Sequence, residues 1–531
     1  MRYSGFLLNG PKSLSVVKQY RFSVLILILL ASSSLWAALP LPAKPDEMRK
    51  LIKQAAKLTR AGSFAESEAV LRRAIEFDTK RTEARVELAF VLTKQRRLLD
   101  AYDIIYPIVL QEPKNSRAFA VLGATLLTAG RFTEARKVFF NALKLNHSED
   151  LAWEGYGLLD FYENKIGDSI ANLQQAVYLE PSEPDYLFAL AQVAARAERY
   201  KESAEAYRNF LSVSSLTDAD RRERIKGLIN FLTYLGNTGT LYAASGKLQT
   251  TVPFSLVGNR PIINLRINGI NEPLRFVLDT GSGISVISDK TAKRLGVKAI
   301  THGGFAKGIG GDGKFAIVYG LLKQIAIGEV NLKNVPVYLR KFHDDNQNVD
   351  GYIGLALISK FLTTIDYGSQ IFSLTKRDSD TQDFRNKSDL SLPLRLTSSG
   401  FLSGEVQLEG VESPLNFIVD TGASVSVISD RVAKFGGISP FINDEKLRVV
   451  GSAGITENVS TFQLPRVTFG QHSRKDIMAV ALDLDIINEA SGFEQSGILG
   501  GNFLKNYRLT FDFKNSKVTF VSIKPDKDQP E

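Results

Sequence analysis

The triplet Asp-Thr-Gly occurs twice in this chain of 531 residues, at 279–281 and again at 420–422. Each copy follows an apolar run that begins with Phe, and each continues into a similar segment, 282–289 in the first copy and 423–430 in the second. An apolar run that ends in Asp, Thr and Gly is typical of a buried strand followed by a tight turn. Because the likeness extends well past the triplet, we predict two related β lobes, each with one copy of the same turn.

Further motifs repeat in the same order after each triplet. An apolar-apolar-Gly segment stands at 352–354 in the first half and at 498–500 in the second. Between the triplet and this segment, each half has a glycine-rich turn flanked by strand-like runs, at 308–313 and at 451–454. Glycines permit the tight turns of hairpin tips, and such tips can close over a bound peptide. The candidate flap residues are Gly308, Gly310, Gly311, Gly451 and Gly454.

The duplicated Asp has a chemical interpretation. Hydrolysis of an amide needs a base that deprotonates the attacking water and an acid that protonates the carbonyl oxygen and the leaving nitrogen. Two carboxyl groups about 3 Å apart cannot both ionise, so a facing pair keeps one proton and supplies both functions. One triplet alone is more often a simple hairpin turn, whereas two in register favour an active site formed by Asp279 and Asp420.

Taken together, these motifs resemble those of the aspartic proteases, and the small retropepsin-like lobes more closely than the large lobes of pepsin. The resemblance extends from about residue 248 to residue 523 and implies an all-β fold of two lobes. It implies catalysis by Asp279 and Asp420 and flaps at the glycine-rich tips, although neither tip follows a Tyr as the pepsin flap does. The residues that it implies as support for the catalytic loops are Thr280, Gly281, Ser282, Thr421 and Gly422.

The residue after each triplet differs between the halves, and the resemblance gives that difference a meaning. In the aspartic proteases, a hydroxyl group at this position donates a hydrogen bond to the neighbouring carboxylate. Ser282 follows the first triplet, while Ala423 follows the second and has no hydroxyl to donate. Since a hydrogen bond to the charged form favours ionisation, we expect the resting proton mainly on Asp420, with Asp279 as the base.

The expected substrate is an extended peptide or protein segment. Strand-like flaps offer backbone hydrogen bonds to a ligand in β conformation, and alternate side chains of that ligand then enter pockets. We expect apolar side chains on both sides of the cut bond.

Several other functions are excluded by the sequence. The glycines at 308–313 match a dinucleotide-binding fingerprint, but a strand-like run at 314–319 follows where that fingerprint requires a helix. The chain has no Cys and four scattered His, so we expect no metal, no cofactor and no thiol nucleophile. A net charge of +9 is spread without a basic stripe, which argues against nucleic acid as a partner.

The N-terminal half has a period of 34 residues. Small residues that recur where two helices cross permit close packing of helix pairs, so this period resembles the tetratricopeptide repeat (TPR). We predict five copies from Pro45 to Asp220 and a capping helix over 221–235, with a concave face that binds a peptide or partner protein. The large residues of the period are Phe64, Leu98, Phe132, Ile166 and Tyr200, and the small ones are Ser67, Ala101, Ala135, Ser169 and Ser203, together with Ala55, Ala89, Gly123, Gly157 and Ala191.

The N-terminus has the pattern of an export signal. An apolar run at 22–39 follows four basic residues and no acidic one. Its length is compatible with a cleaved signal peptide or with an uncleaved anchor in the cytoplasmic membrane. In both cases we expect a periplasmic or extracellular protein, with membrane contact only through this segment if it is uncleaved.

These features predict a multidomain chain, with an all-α TPR solenoid followed by an all-β bilobal aspartic protease fold. We expect an exported aspartic endopeptidase whose solenoid recruits a substrate or partner, so that removal of the solenoid spares cleavage of short peptides. Two alternatives stay open: a non-catalytic peptide-binding or protein-binding scaffold with a protease-like fold, and lobes that pair with those of a second chain. The expected divisions are 1–39 signal peptide or anchor, 45–235 TPR domain, 236–247 linker, 248–378 lobe 1, 379–389 interlobe linker, 390–523 lobe 2 and 524–531 polar tail.

Overall fold

The computed structural model describes residues 45–216, 218–311, 313–343, 348–376, 390–393 and 395–523. The expected export signal at 1–39, interlobe linker at 379–389 and tail at 524–531 lie outside these residues. Among the helices that are described, none is long and apolar enough to cross a membrane.

The helical region consists of antiparallel helix pairs in the predicted period, followed by one longer helix. Its helices are α1 Pro45–Arg60, α2 Phe64–Phe77, α3 Glu83–Lys94, α4 Leu98–Gln111, α5 Ser116–Thr128, α6 Phe132–Leu145, α7 Asp150–Tyr162, α8 Ile166–Leu179, α9 Pro184–Arg196, α10 Tyr200–Val213 and α11 Ala219–Asn237. The predicted solenoid of five pairs is therefore confirmed, and α11 extends two residues beyond the predicted capping helix at each end.

The small residues of the 34-residue period lie where the two helices of a pair cross. The Ser67 hydroxyl donates to the Ala55 carbonyl at 2.9 Å, and the Ser203 hydroxyl donates to the Ala191 carbonyl at 2.7 Å in the same way. A side chain on Gly157 would collide with Leu173 of the partner helix. Small side chains let the backbones approach closely enough for these contacts, which explains why the period consists of Ala, Ser and Gly.

Two β lobes follow, and each runs through the same order of strands. The elements of lobe 1 are β1 Ala243–Gly246, β2 Gln249–Val257, β3 Arg260–Ile267, β4 Leu274–Leu278, β5 Ser285–Ser288, α12 Asp289–Arg294, β6 Ala299–Lys307, β7 Lys314–Ile327, β8 Val330–Arg340, β9 Gly351–Ile353, α13 Leu355–Ile358, β10 Phe361–Asp366 and β11 Ile371–Lys376. Those of lobe 2 are β12 Leu390–Pro393, β13 Arg395–Leu396, β14 Leu402–Leu408, β15 Leu415–Val419, β16 Ser426–Ser429, α14 Asp430–Ala433, a 3-10 turn at Ser439–Phe441, β17 Ile442–Val450, β18 Ile455–Phe469, β19 His472–Leu482, α15 Asp485–Ser491, β20 Gly497–Leu499, α16 Gly501–Leu504, β21 Tyr507–Asp512 and β22 Lys517–Ser522.

The strand before each triplet is covered by a short strand from later in the chain. In lobe 1, β9 pairs parallel with β4 and antiparallel with β5. In lobe 2, β20 pairs in the same two ways with β15 and β16. The predicted apolar-apolar-Gly segments are these inserted strands, so they lie directly beside the Asp-Thr-Gly turns.

The two lobes share a sheet within one chain. Its strands run in the order β12-β22-β21-β10-β11-β2, so that β10 of lobe 1 pairs antiparallel with β21 of lobe 2. At the centre, the hydroxyl groups of Thr364 and Thr510 lie 3.1 Å apart. The structure therefore joins the lobes within a single chain, which was one of the two arrangements left open by the sequence.

The stretch 236–247, expected to be a linker, is part of the fold. Helix α11 includes its first two residues, and β1 pairs antiparallel with β8 of lobe 1. The physical reason lies just upstream, because Phe231 and Leu235 of α11 are buried in the hydrophobic core of lobe 1. The helix therefore leads directly into the first lobe.

The solenoid also packs against lobe 2, through Phe493 after α15. This side chain is fully buried in the core of the helical region, with its ring 4.9 Å from that of Phe132 and 5.0 Å from that of Tyr162. Nearby, the guanidinium of Arg196 donates to the Thr397 carbonyl at 2.5 Å. The solenoid is thus joined to both lobes by buried contacts, to lobe 1 through α11 and to lobe 2 through Phe493, which the sequence did not indicate.

Candidate active site

The turns that carry Asp279 and Asp420 lie at the ends of β4 and β15. The N–H of Asp279 donates to the Ile353 carbonyl of β9 at 3.0 Å, and the N–H of Asp420 donates to the Leu499 carbonyl of β20 at the same distance. Each inserted strand thus holds the start of one turn. The structure brings both predicted aspartates to the line where the lobes meet.

The two threonines bind the turns to each other across the lobes. The hydroxyl of Thr280 donates to the Val419 carbonyl at 2.7 Å, and the hydroxyl of Thr421 donates to the Leu278 carbonyl at 2.7 Å. The Thr280 hydroxyl also accepts the backbone N–H of Thr421 at 3.0 Å, and the Thr421 hydroxyl accepts that of Thr280 at 3.2 Å. Both residues are fully buried, so this reciprocal set of four bonds sets the separation of the two carboxyl groups.

The glycine of each triplet allows the opposite carboxyl group to come close. A Cβ atom on Gly281 would lie 2.3 Å from the Cγ of Asp420, and one on Gly422 would lie 2.7 Å from the Cγ of Asp279. Real Cβ atoms do not approach other atoms so closely. Any larger residue at either position would therefore push the aspartates apart.

The two carboxyl groups are coupled, and their surroundings differ. Burial raises the pKa of both above the ordinary Asp value of 3.8, and the neighbouring carboxyl raises that of Asp279 further. Asp420 accepts the N–H of Gly422 at 2.7 Å, and the backbone N–H groups of Gly281 and Ala423 also favour its charged form. Asp279 accepts the N–H of Gly281 at 3.0 Å. The N–H groups around Asp420 favour the negative charge there, and we therefore place the shared proton on Asp279.

The Ser282 hydroxyl does not make the hydrogen bond that the sequence led us to expect. The Ser282 hydroxyl donates to the Ile284 carbonyl at 2.8 Å, two residues along the same loop, and not to a catalytic carboxylate. The local backbone turn offers an acceptor within reach, as is common for serine in tight loops. Ser282 therefore supports the loop, and the Ser282/Ala423 difference does not direct the proton to Asp420.

The predicted glycine-rich tips are hairpin tips that cross each other. The tip between β6 and β7 meets the tip between β17 and β18, where the Ala453 N–H donates to the Ile309 carbonyl at 2.8 Å and the Gly311 N–H donates to the Ile455 carbonyl at 3.1 Å. A Cβ atom on Gly308, Gly310, Gly311, Gly451 or Gly454 would lie within 3 Å of an atom of the other tip. The glycines thus permit backbone to cross backbone, and Asp312 of the first tip lies outside the described residues.

Arg340, which the sequence reasoning did not single out, also belongs to this region. It ends β8, and its Nη2 donates to the Ser452 carbonyl in the tip of the other lobe. Its positive charge favours the ionised form of Asp279 and so opposes the effects that raise the pKa of that carboxyl group. Ser288 of lobe 1 pairs with Arg340, and the equivalent Ser429 of lobe 2 pairs with Leu482. An alignment of the two halves would therefore have shown a charged residue in lobe 1 at a position that is apolar in lobe 2.

Comparison with protein families identifies both lobes. Residues 263–357 match the family model described as "Aspartyl protease", and residues 405–506 match the one described as "gag-polyprotein putative aspartyl protease". The chain carries two aspartyl protease domains. Each matched range contains one Asp-Thr-Gly triplet, so the resemblance predicted from the motifs is confirmed for both lobes.

Three solved structures, one of them described as a TPR protein, are similar to the helical region. A thermophilic TPR protein from Thermus thermophilus is 20% identical over 34% of this chain and 98% of its own, with a TM-score of 0.30. PilF of Pseudomonas aeruginosa is 18% identical over 36% and 86% of the two chains, with a TM-score of 0.27. MamA of Desulfovibrio magneticus is 20% identical over 32% and 97%, with a TM-score of 0.23.

Proposed function

We propose that this protein is an exported aspartic endopeptidase, in which Asp279 and Asp420 activate one water molecule between them. The observation that supports this most directly is the facing pair of carboxyl groups with raised pKa values, held by the reciprocal threonine bonds. A pair that shares one proton has an acid and a base at the same place, as hydrolysis of an amide requires.

In this mechanism the charged carboxylate of Asp420 accepts a proton from water while the oxygen of that water attacks the peptide carbonyl carbon. The protonated carboxyl of Asp279 donates its proton to the carbonyl oxygen. The resulting tetrahedral intermediate then breaks its C–N bond, and the leaving nitrogen receives the proton that Asp420 took from the water. The proton on the carbonyl-derived oxygen returns to Asp279, which restores the starting state.

The decisive experiment compares the full chain with its Asp279→Asn and Asp420→Asn variants on a denatured protein, with the cut sites mapped by mass spectrometry. Asn keeps the shape and removes the charge, so we expect turnover to fall roughly 10²- to 10⁴-fold with little change in folding. Asp366→Asn, at the end of β10 and bonded to the turn at Gly368, is the matched control and should leave turnover unchanged. Near-normal cleavage by either dyad variant would refute the shared-water mechanism.

The same experiment addresses the scaffold alternative. A scaffold with a protease-like fold would bind extended peptides but cut none at any pH. Binding without cleavage by the parent chain would therefore favour that alternative over the endopeptidase.

Export is a separate part of the proposal and rests on the apolar run at 22–39 with its basic flank. Fusion of residues 1–45 to alkaline phosphatase, which is active only outside the cytoplasm, should give an active enzyme. N-terminal sequencing of the mature protein then distinguishes a cleaved signal from an uncleaved anchor. An inactive fusion would contradict export.

Recruitment by the solenoid is also proposed, and its inner face is the surface concerned. A cavity of about 90 Å³ lies there, lined mainly by residues of the first helices of the pairs, and Lys94 of that lining forms an ion pair with Asp185 at 2.8 Å. Burial raises the pKa of the adjacent Glu154 to about 7. Arg60 of α1 reaches Glu180 and Glu183, 3.2 and 3.3 Å away, so α1 contacts the turn between α8 and α9 across the groove. A ligand on this face must open that contact.

Arg60→Ala should widen the groove. If the groove recruits substrate, kcat/KM for a whole-protein substrate should change while that for a short peptide stays constant. Arg72→Ala, which removes a cation paired with Glu68 on α2, is the control. Equal changes on both substrates would argue against recruitment through this groove.

A further inference from the structure

The two halves of the cleft can be compared residue by residue through their strand registers. In lobe 1, Ser288 pairs with Arg340, and in lobe 2 the equivalent Ser429 pairs with Leu482. The inserted strands give a second equivalent pair, since Val286 lies opposite Tyr352 and Val427 lies opposite Ile498. At both positions, a polar side chain of lobe 1 corresponds to an aliphatic one of lobe 2.

Arg260 of lobe 1 and Phe401 of lobe 2 form a third equivalent pair, at the start of β3 and directly before β14. Ile262 pairs with Val277 two residues before Asp279, and Ser403 pairs with Ile418 two residues before Asp420. Two residues before Ile262 and Ser403, the chain has Arg260 in lobe 1 and Phe401 in lobe 2. The contrast between polar and apolar thus recurs at three independent positions.

On the lobe 1 side, two arginines lie beside Tyr352 of the inserted strand β9. The guanidinium of Arg340 lies 4.2 Å from the centre of the Phe315 ring and donates to the Ser452 carbonyl. Its Nε is buried and has no hydrogen-bond partner among the residues that the structure describes. Arg340 and Arg260 both interact electrostatically with the Tyr352 hydroxyl, and Tyr352 pairs with Val277, two residues before Asp279.

On the lobe 2 side, the equivalent residues form an apolar cluster. Leu482 and Ile498 are buried together, and the partly buried Ile309, Phe401 and Ala423 pack against the same cluster. Ile309 belongs to the tip of the first hairpin, and Ala423 directly follows the second triplet. This cluster therefore reaches from the catalytic turn of lobe 2 to the crossed tips.

We propose that the cleft selects peptides with an acidic side chain on the lobe 1 side of the cut bond and an apolar side chain on the lobe 2 side. Arg340 is the residue that determines the acidic preference, and the proposal rests on the proposed endopeptidase function. A buried guanidinium with an unused N–H is best satisfied by a carboxylate, which supplies both acceptor and opposite charge. An aliphatic pocket favours an apolar side chain because it offers no polar partner. The sequence-based expectation of apolar side chains on both sides then holds for lobe 2 alone.

The test uses three matched peptides that differ at one residue beside the cut bond, with Glu, Gln or Leu placed on either side in turn. Glu and Gln have nearly the same shape, so their ratio of kcat/KM isolates the charge. At about pH 6 a peptide Glu is ionised. For the full chain we expect Glu to exceed Gln roughly tenfold to a hundredfold on one side only, since hydrogen bonds to charged groups have that strength.

Arg340→Leu places the lobe 2 residue in lobe 1 and should abolish the preference for Glu and favour Leu. Because both peptides are tested on the same variant, any general loss from the broken contact with Ser452 cancels in the ratio. Leu482→Arg should create a second preference for Glu, on the other side of the bond. Arg466→Leu, on the surface of β18 and paired with Glu409, is the control and should keep the parent ratio.

Two results would overturn the inference while the endopeptidase stands: peptides cut with a Glu/Gln ratio near one, or a ratio unchanged in Arg340→Leu. Absence of cleavage for every peptide would count against the proposed function instead. In that case calorimetry with the same peptides, carrying a reduced amide at the scissile bond, still measures the Glu/Gln ratio of Kd. Equal binding of both peptides by the parent chain would refute the acidic subsite independently of catalysis.

Discussion

Lobe 1 and lobe 2 have the same strand order and the same Asp-Thr-Gly turn, yet their surroundings differ. In lobe 1, helix α11 packs against the flap strand β6, where Arg224 donates to the Phe305 carbonyl at 3.1 Å. In lobe 2, the flap strand β17 is largely exposed, and the solenoid contacts the lobe at Phe493 instead. The Asp-Thr-Gly turns of the two lobes are alike, whereas the residues that contact the flap strands differ between the lobes. The lobes are therefore expected to have unequal functions.

The largest expected effect comes from breaking the attachment of lobe 2. Phe493→Ala should lower the free energy of unfolding by about 3–5 kcal/mol, because the ring fills the core of the helical region. Urea denaturation measures this change, with Phe435→Ala as the control, since Phe435 of the same lobe is 40% exposed. Equal losses of unfolding free energy for the two variants would mean that the Phe493 contact stabilises the protein no more than an exposed Phe does.

The next effect concerns the flap of lobe 1. A Cβ atom on Gly227 of α11 would lie 2.3 Å from the His302 carbonyl of β6, so Gly227→Ala should move helix and flap strand apart. We expect kcat/KM for a short peptide to fall about tenfold, since displacement of positioning elements by about 1 Å can cost up to a hundredfold.

Gly167→Ala is the matched control for that substitution. Gly167 also lies in a helix of the solenoid, and a Cβ atom there would meet no atom within 4 Å. Its activity should equal that of the parent. If Gly227→Ala also kept full activity on short peptides, the solenoid would be the separable module that the sequence suggested, and the contact of α11 with β6 would have no role in catalysis.

The raised pKa values of the two aspartates predict that the stability of the protein depends on pH. In the folded state the pKa of both carboxyl groups is raised above the 3.8 of an ordinary Asp, so the folded protein binds more protons than the unfolded chain above that pH. The free energy of unfolding of the parent should therefore fall as pH rises from about 4 towards neutrality. Asp279→Asn removes the more strongly shifted group and much of this loss.

Calorimetric Tm values of the parent and variants check this expectation between about pH 4 and pH 7. The Tm of Asp279→Asn minus that of the parent should increase with pH, and more steeply than for Asp420→Asn, because the surrounding N–H groups stabilise the charged form of Asp420. A difference that is constant or decreases with pH would contradict the assignment of the proton to Asp279.

The smallest effect is expected for Ser282→Ala. This substitution removes the hydroxyl that donates to the Ile284 carbonyl, so it should lower stability by about 1 kcal/mol. The acidic limb of the pH–rate profile should not move, because the hydroxyl does not contact a catalytic carboxylate. An upward shift of that limb, matched by a downward shift in Ala423→Ser, would restore the proton assignment that the sequence suggested.

Local pattern was sufficient for much of this molecule. The 34-residue period predicts the helix pairs because each small residue lies where the two helices of its own pair cross. The repeated triplets and apolar-apolar-Gly segments predict the two lobes and the meeting of Asp279 with Asp420, because each motif sits in a strand and turn with its own signature. The glycine-rich segments predict the two hairpin tips, whereas the crossing of those tips is a contact that the sequence did not indicate.

The remaining features depend on contacts between residues far apart in the chain, for which no local signature exists. Phe493 enters a core built by helices more than 300 residues earlier, and Arg96 pairs with Glu494 across 398 positions. The burial of Phe231 in lobe 1 and the environment of Arg340 likewise depend on how the elements pack. The sequence states which side chains are present and how they are spaced, whereas packing decides which backbone group or charge each one meets, and that decides its pKa, its hydrogen bonds and its role.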